Sequence, residues 1–165
     1  MDKSKADSPP PTVAIPGELQ QMWLQLVRGT WSSIVVIPTE SSTSPSAVTE
    51  ALVSMAHFYD LGSFTLLDAQ RASLQDGVRL AHELAALVSK GSRVVVAVDS
   101  PMENAGAIPL VTAADAAILL VRLGASESRS VRSIVEIVGR ERVLGAVALK
   151  NGRTPRPRPS KAREP

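Results

Sequence analysis

Five short apolar runs, rich in β-branched residues, recur along the chain at Ile34–Ile37, Phe64–Leu67, Arg93–Val98, Ala116–Val121 and Val143–Leu149. Each is continuously hydrophobic rather than alternating with polar residues, the pattern of strands covered on both faces. Between them the apolar spacing changes to three and four. Val48, Leu52, Met55, Ala56 and Tyr59 follow that spacing, as do Leu74, Val78, Ala81, Leu84, Ala85 and Val88. Val131, Ile134, Val135 and Val138 repeat it between Ser128 and Gly139, so three amphipathic helices are expected. The second stripe stops at Lys90-Gly91, a helix-ending pair. Strand–helix–strand alternation of this length calls for right-handed crossovers and a mostly parallel sheet between two helical layers. The expected fold is a three-layer, Rossmann-like α/β sandwich of at least five strands.

A chain of 165 residues suits one such domain. Only five aromatic residues are present, so aliphatic side chains must build the core. Cysteine is absent, which excludes disulfides, thiolate zinc sites and a cysteine nucleophile. His57 and His82 stand alone on helical stripes without metal-ligand spacing, so no metal is expected. The longest apolar run, 106–121, is broken by Pro109 and Asp115 and does not read as a membrane span. Residues 1–12 carry Pro9-Pro10-Pro11 and almost nothing apolar, and the Pro-rich N-terminus 1–15 lacks the apolar stretch of a signal peptide, while 152–165 read GRTPRPRPSKAREP. Both ends are expected to be disordered, flanking a domain of 16–151.

Charge is divided unevenly. From Lys150 onward six Lys/Arg face one Glu, whereas residues 17–149 hold ten basic against thirteen acidic residues. The body is therefore mildly acidic, which argues against a nucleic-acid-binding face. An amphipathic segment precedes the first apolar run, opened by Pro16-Gly17-Glu18, with Leu19, Met22, Trp23, Leu26 and Val27 on one face. It either packs on the domain or docks onto a partner.

In parallel sheets of this kind, ligands sit at the carboxyl ends of the strands. The segments there read PTESSTSPSAVTEAL, LLDAQRAS and VVVAVDSPMENAG. Leu66-Leu67-Asp68-Ala69 is similar to a "LIDAD" segment and Val98-Asp99-Ser100-Pro101 to "IDTPP". Residues 114–121, ADAAILLV, resemble "ADGVLLVV", and Leu144-Gly145-Ala146-Val147 resembles "LGVVLN". In this order and spacing, over about Glu18 to Asn151, the chain resembles the P-loop proteins of the MinD/ParA-like group. It looks most like the cytoplasmic domain of bacterial tyrosine kinases of the CpsD/CapB and Wzc type, which regulate capsule and exopolysaccharide export. The resemblance implies a P-loop NTPase-like version of the expected fold.

The family's phosphate loop, of the form "PGEGKST", is where the chain departs. Glycines let backbone N–H groups approach the phosphates, lysine reaches the β/γ oxygens, and Ser/Thr binds magnesium. Here Thr43, Ser44, Pro45 and Ser46 occupy that place, Pro45 standing for the lysine and Ser44 for the preceding glycine. Proline removes both a cation and an N–H donor, and no glycine occurs in 38–50. Asp68 and Asp99 match the family's acidic positions, which serve magnesium and the attacking group, but without a phosphate to share the cation they read better as caps of strand-end turns. The family's C-terminal tyrosine cluster has no counterpart, and Tyr59 is expected on a core or helix flank. Its ring-forming "ExxRxxR" falls on Glu18, Gln21 and Leu24, with both arginines gone. No Gly-x-Ser-x-Gly elbow is present around Ser100, and Ser41–Ser44 reads as a polar loop.

The resulting expectation is a non-catalytic, pseudokinase-like binding module with no cofactor and only vestigial nucleotide-site positions. The resemblance implies a cytoplasmic subunit of polysaccharide synthesis or export at the inner face of the bacterial inner membrane. It would dock on a membrane polysaccharide co-polymerase, a chain-length regulator, through Leu19, Met22, Trp23 and Leu26 together with the loop Glu40 to Ser46. The basic tail could add attraction to anionic lipid. A homodimer stays open, without the family's ring. Two alternatives remain: a residual ATPase or tyrosine kinase using Asp68 and Asp99, and a MinD/ParA-like positioning factor.

Overall fold

A computed structural model describes residues 17–124 and 128–150 of the chain, with side chains from Gln21 onward. The segments 1–15 and 152–165, expected to be disordered, lie outside the described residues. The elements run α1 (Gly17–Val27), β1 (Ser33–Pro38), α2 (Ser46–Phe58), β2 (Phe64–Asp68), α3 (Leu74–Ser89) and β3 (Arg93–Ala97). After a 3-10 turn at Ala105–Ala107 come α4 (Ile108–Ala113), β4 (Ala116–Arg122), α5 (Ser128–Val138), a second 3-10 turn at Arg140–Arg142, and β5 (Val143–Leu149). Every strand lies within one residue of its expected bounds. All five are parallel, in the order β2-β3-β1-β4-β5. The fold is the expected three-layer, Rossmann-like α/β sandwich.

Strand order dictates which helix covers which face. The step from β1 to β2 runs in one direction across the sheet, and the three later steps run in the other. Right-handed crossovers therefore send α2 to one face and α3, α4 and α5 to the opposite one. The buried clusters agree: Leu80, Leu84, Leu110, Val111, Ile134 and Val138 pack together on one side, and Leu52, Met55 and Ala56 on the other. That second face would have a single helix for five strands. Helix α1 supplies the missing cover, burying Trp23 to 1% exposure and Leu26 to 5%. The Trp23 ring lies 5.6 Å from that of Phe64 at the start of β2. Trp31 Nε1 donates to Leu26 O at 2.7 Å and stitches the end of α1 to the strand that follows.

The expectation that Trp23 and Leu26 form a partner surface is thereby corrected. Both lie in the core because the topology leaves a vacancy that only α1 can fill. Met22 is partly buried against the same cluster, and Leu24 is the large exposed apolar side chain of the helix. Leu19 lies on α1, but its side chain is outside the described residues.

Two other elements differ from the sequence reading. β5 is as continuously apolar as the other strands, yet it is mostly exposed along its length because it forms an edge that few helical residues reach. The run 106–121 divides into α4 and β4 at Ala114-Asp115, and α4 was not legible as a helix. Asp115 marks the division for a reason: its Oδ2 accepts from Ser32 N, Ser33 N and Ser33 Oγ at 2.9–3.1 Å, clamping the starts of β4 and β1. Tyr59 lies on a helix flank, one of the two places expected for it. It sits at the end of α2, half exposed and edge-on to the exposed Phe58.

Helix α3 shows why the local sequence holds. The Ser73 hydroxyl accepts from Asp76 N at 3.1 Å and donates to Asp76 Oδ2 at 2.7 Å. This N-cap pairing supplies a partner to one of the first-turn N–H groups. At the other end Gly91 adopts φ 86°, the left-handed conformation that favours glycine. In the first turn, Gly77 lets the Gly106 backbone approach so closely that a Cβ on Gly77 would run into Gly106 O, and a Cβ on Gly106 would in turn run into Ala72 O. That contact seats α3 beside the loop leaving β3.

Candidate functional site

At the carboxyl ends of β1, β2 and β3 the loops meet as in other parallel α/β sheets. Pro45 stands at the N-cap position of α2 with φ −76° and no side-chain cap. Its carbonyl accepts from Val48 N at 3.1 Å and Thr49 N at 3.0 Å, which starts the helix. The N–H of Ser46, at the position where an open phosphate loop would present a free donor, is 3.3 Å from the Ser44 hydroxyl that accepts it. The helix thus reaches this end of the sheet with a donor already engaged by the chain itself.

Gln70, two residues beyond Asp68, closes the arrangement. Its Nε2 donates to Ser46 Oγ at 2.8 Å and to Asp68 Oδ1 at 3.1 Å. Its Oε1 lies 3.0 Å from Ser44 Oγ, which is itself 3.1 Å from Ser46 Oγ. Asp68 Oδ1 also accepts the Gln70 backbone N–H at 3.0 Å, a turn formed by an aspartate capping the residue two positions on. One amide therefore joins both hydroxyls and the carboxylate.

Asp99 belongs to a separate network. Its Oδ2 accepts from Arg71 N at 2.7 Å and from Asn104 Nδ2 at 2.9 Å. Asn104 Oδ1 in turn accepts from Gly106 N at 2.9 Å. Arg71 has φ 58°, an uncommon conformation for a side-chain-bearing residue, and the bond from its N–H to Asp99 holds it there. Both aspartates thus cap adjacent turns, the structural role expected for them. The loop after β1 is anchored from the far side, where Arg122 at the end of β4 donates to Ser42 O at 3.0 Å.

Two hydroxyls are buried here without a partner among the described residues, Thr43 Oγ1 and Ser100 Oγ. Ser100 nevertheless organises the loop after β3 through its carbonyl, which accepts from Glu103 N and Asn104 N. Among the described residues no group of three His, Asp or Glu side chains could hold a metal, and His57 and His82 are exposed. Clefts open elsewhere, including one of about 500 Å³ at the amino ends of β1 and β4, lined by Trp31, Asp115 and Arg142. Another of about 500 Å³ runs along α5, lined by Val131, Arg132 and Val135, and one of about 240 Å³ opens between α1 and β5.

Of the positions singled out in the sequence, Ser44, Ser46 and Asp68 meet through Gln70. Pro45 starts the helix beside them, Thr43 turns inward, and Asp99 serves a different turn. Gln70, Arg71 and Asn104 were not identified from the sequence. Their signal was a polar residue placed two to five positions after a strand-end aspartate, too common a pattern to stand out.

Among the described residues no helix is long and apolar enough to cross a membrane. No family model matches the chain, and no curated protein matches it.

Proposed function

We propose that this chain is a non-catalytic binding subunit, a degenerate relative of the exopolysaccharide tyrosine kinases whose nucleotide end has been filled by its own side chains. The observation that carries this reading is the amide of Gln70, bonded at once to Ser46 Oγ and Asp68 Oδ1. A nucleotide phosphate would need those groups free, together with a lysine where Pro45 stands. Phosphoryl transfer is mostly positioning and charge stabilisation, so the loss of the lysine and of the backbone donors removes most of its means. What such a domain retains is a rigid surface. On this reading the polar loop from Glu40 to Ser46, held by Arg122, meets a membrane-embedded polysaccharide co-polymerase at the cytoplasmic face, with the basic tail drawn to anionic lipid.

Isothermal titration of Mg-ATP and Mg-ADP tests the lack of nucleotide chemistry. The expected dissociation constant is about millimolar or weaker, near −4 kcal/mol. Micromolar affinity for either nucleotide would overturn the reading and favour the residual enzyme. Affinity capture from native membranes tests the partner: a polysaccharide co-polymerase should be retained, and its absence from the bound fraction sinks the docking claim.

A further inference from the structure

We infer that β5 is a self-association edge: two copies of this chain pair their β5 strands antiparallel about a two-fold axis near Ala146, making one continuous sheet. The inference is independent of the proposed function and concerns the opposite side of the molecule from the Asp68 network.

Among the described residues no strand pairs with the outer edge of β5, while its inner edge is bonded to β4 from Val143 to Leu149. Exposed sheet edges are usually blunted by charge, proline, shortness or a bulge. Here Val143–Leu149 carries no charged residue and no proline. One irregularity shifts the register at Leu144, and from Gly145 to Leu149 the pairing with β4 is regular. Gly145, Ala146 and Ala148 are small and exposed, and a Cβ at Gly145 would meet nothing within 4 Å. A second backbone can therefore approach without displacing side chains.

The charges at the two ends select a second copy, and select the antiparallel direction. Pairing centred on Ala146 brings Lys150 of one copy to the 141–142 end of the other. Arg142 is turned away from that edge: its Nε donates to Val138 O at 2.6 Å and its Nη1 to Thr112 O and Ala114 O at 3.0 Å. Exposed Glu141, whose carboxylate lies beside Gly139, is then the acidic group at that end for the incoming Lys150. The match occurs twice, as a two-fold interface requires. The added strand would also extend the floor of the groove between α1 and β5, whose lining includes Met22, Leu26, Leu144 and Gly145.

Sedimentation velocity of the full chain over a concentration series should show a monomer–dimer equilibrium. Ala146→Glu and Ala146→Lys each place like charges across the axis and should weaken association about a hundredfold, with an unchanged circular-dichroism melt. An equal mixture of the two variants should recover the dimer. If either variant misfolds, Lys150→Glu should weaken association in the same way, and adding Glu141→Lys to it should restore the dimer. A wild-type chain that stays monomeric overturns the proposal, as do charged variants that dimerise normally or a mixture that does not recover. A monomer that dimerises only after deletion of 151–165 assigns the edge to the chain's own tail and equally overturns it.

Discussion

Gln70 Nε2 donates to Ser46 Oγ at 2.8 Å, tying the turn after β2 to the first residue of α2. The bond crosses 24 residues of sequence and joins the loops after β1 and β2. Gln70→Ala should cost about 1 kcal/mol in urea denaturation, since a partly exposed hydrogen-bonding side chain contributes roughly that much. On the proposed reading it should not create Mg-ATP binding, because Pro45 still offers neither a cation nor an N–H donor. Titration showing micromolar binding by this single variant would mean that the amide alone closes the site.

The Asp99 carboxylate holds Arg71 N at 2.7 Å and Asn104 Nδ2 at 2.9 Å. Asp99→Asn can place its amide oxygen where Oδ2 stands and keep both donors, so it loses only the charge-assisted part of these bonds and should cost about 1 kcal/mol. Partner retention should fall only as far as the melting temperature does. Complete loss of function in a variant that melts normally would assign chemistry to Asp99.

Trp23 is 1% exposed, and its Nε1 has no hydrogen-bond partner among the described residues. Trp23→Ala should destabilise the free protein by about 3–5 kcal/mol, the range for emptying an aromatic site in a core. Trp23→Phe should cost far less, because it discards an unsatisfied donor while keeping a ring against Phe64. Paired melting curves of the two variants decide the matter; a normal melt for Trp23→Ala would return this residue to a surface role.

The hydrogen bond from the Ser73 hydroxyl, then the bond to the Ser73 amide and the nearby Arg79, hold the Asp76 carboxyl below the usual aspartate range. A carboxylate with a depressed folded-state pKa stabilises the fold above its unfolded value, and that contribution fades as pH falls through the depressed one. Ser73→Ala should remove the cap, costing about 1 kcal/mol at neutral pH. It should also flatten the acid limb of the stability profile, measured by denaturation across the acidic range. An unchanged acid limb would show that Ser73 does not set the Asp76 titration.

Strands and the three long helices were legible because each is a local matter. Continuous β-branched runs such as 94–98 admit little but a buried strand, and Leu80 and Leu84 repeat at a helix's own period. Their alternation and the right-handed crossover rule were enough to require a parallel sheet. Asp68 and Asp99 were also visible as strand-end residues, and both accept backbone N–H groups of the turns beside them. Residue spacing carries no information about strand order, and strand order decided the rest. Because β1 is central and only one crossover runs towards β2, one face is left short of helices, and α1 must cover it. That requirement buries Trp23, which the sequence alone leaves free either to pack on the domain or to dock onto a partner. Strand order also puts β5 at the edge, where a run indistinguishable from the interior strands becomes exposed. Gln70 had no local signature either: its partners Ser44 and Ser46 lie more than twenty residues away, and only the parallel pairing of the sheet brings their loops together.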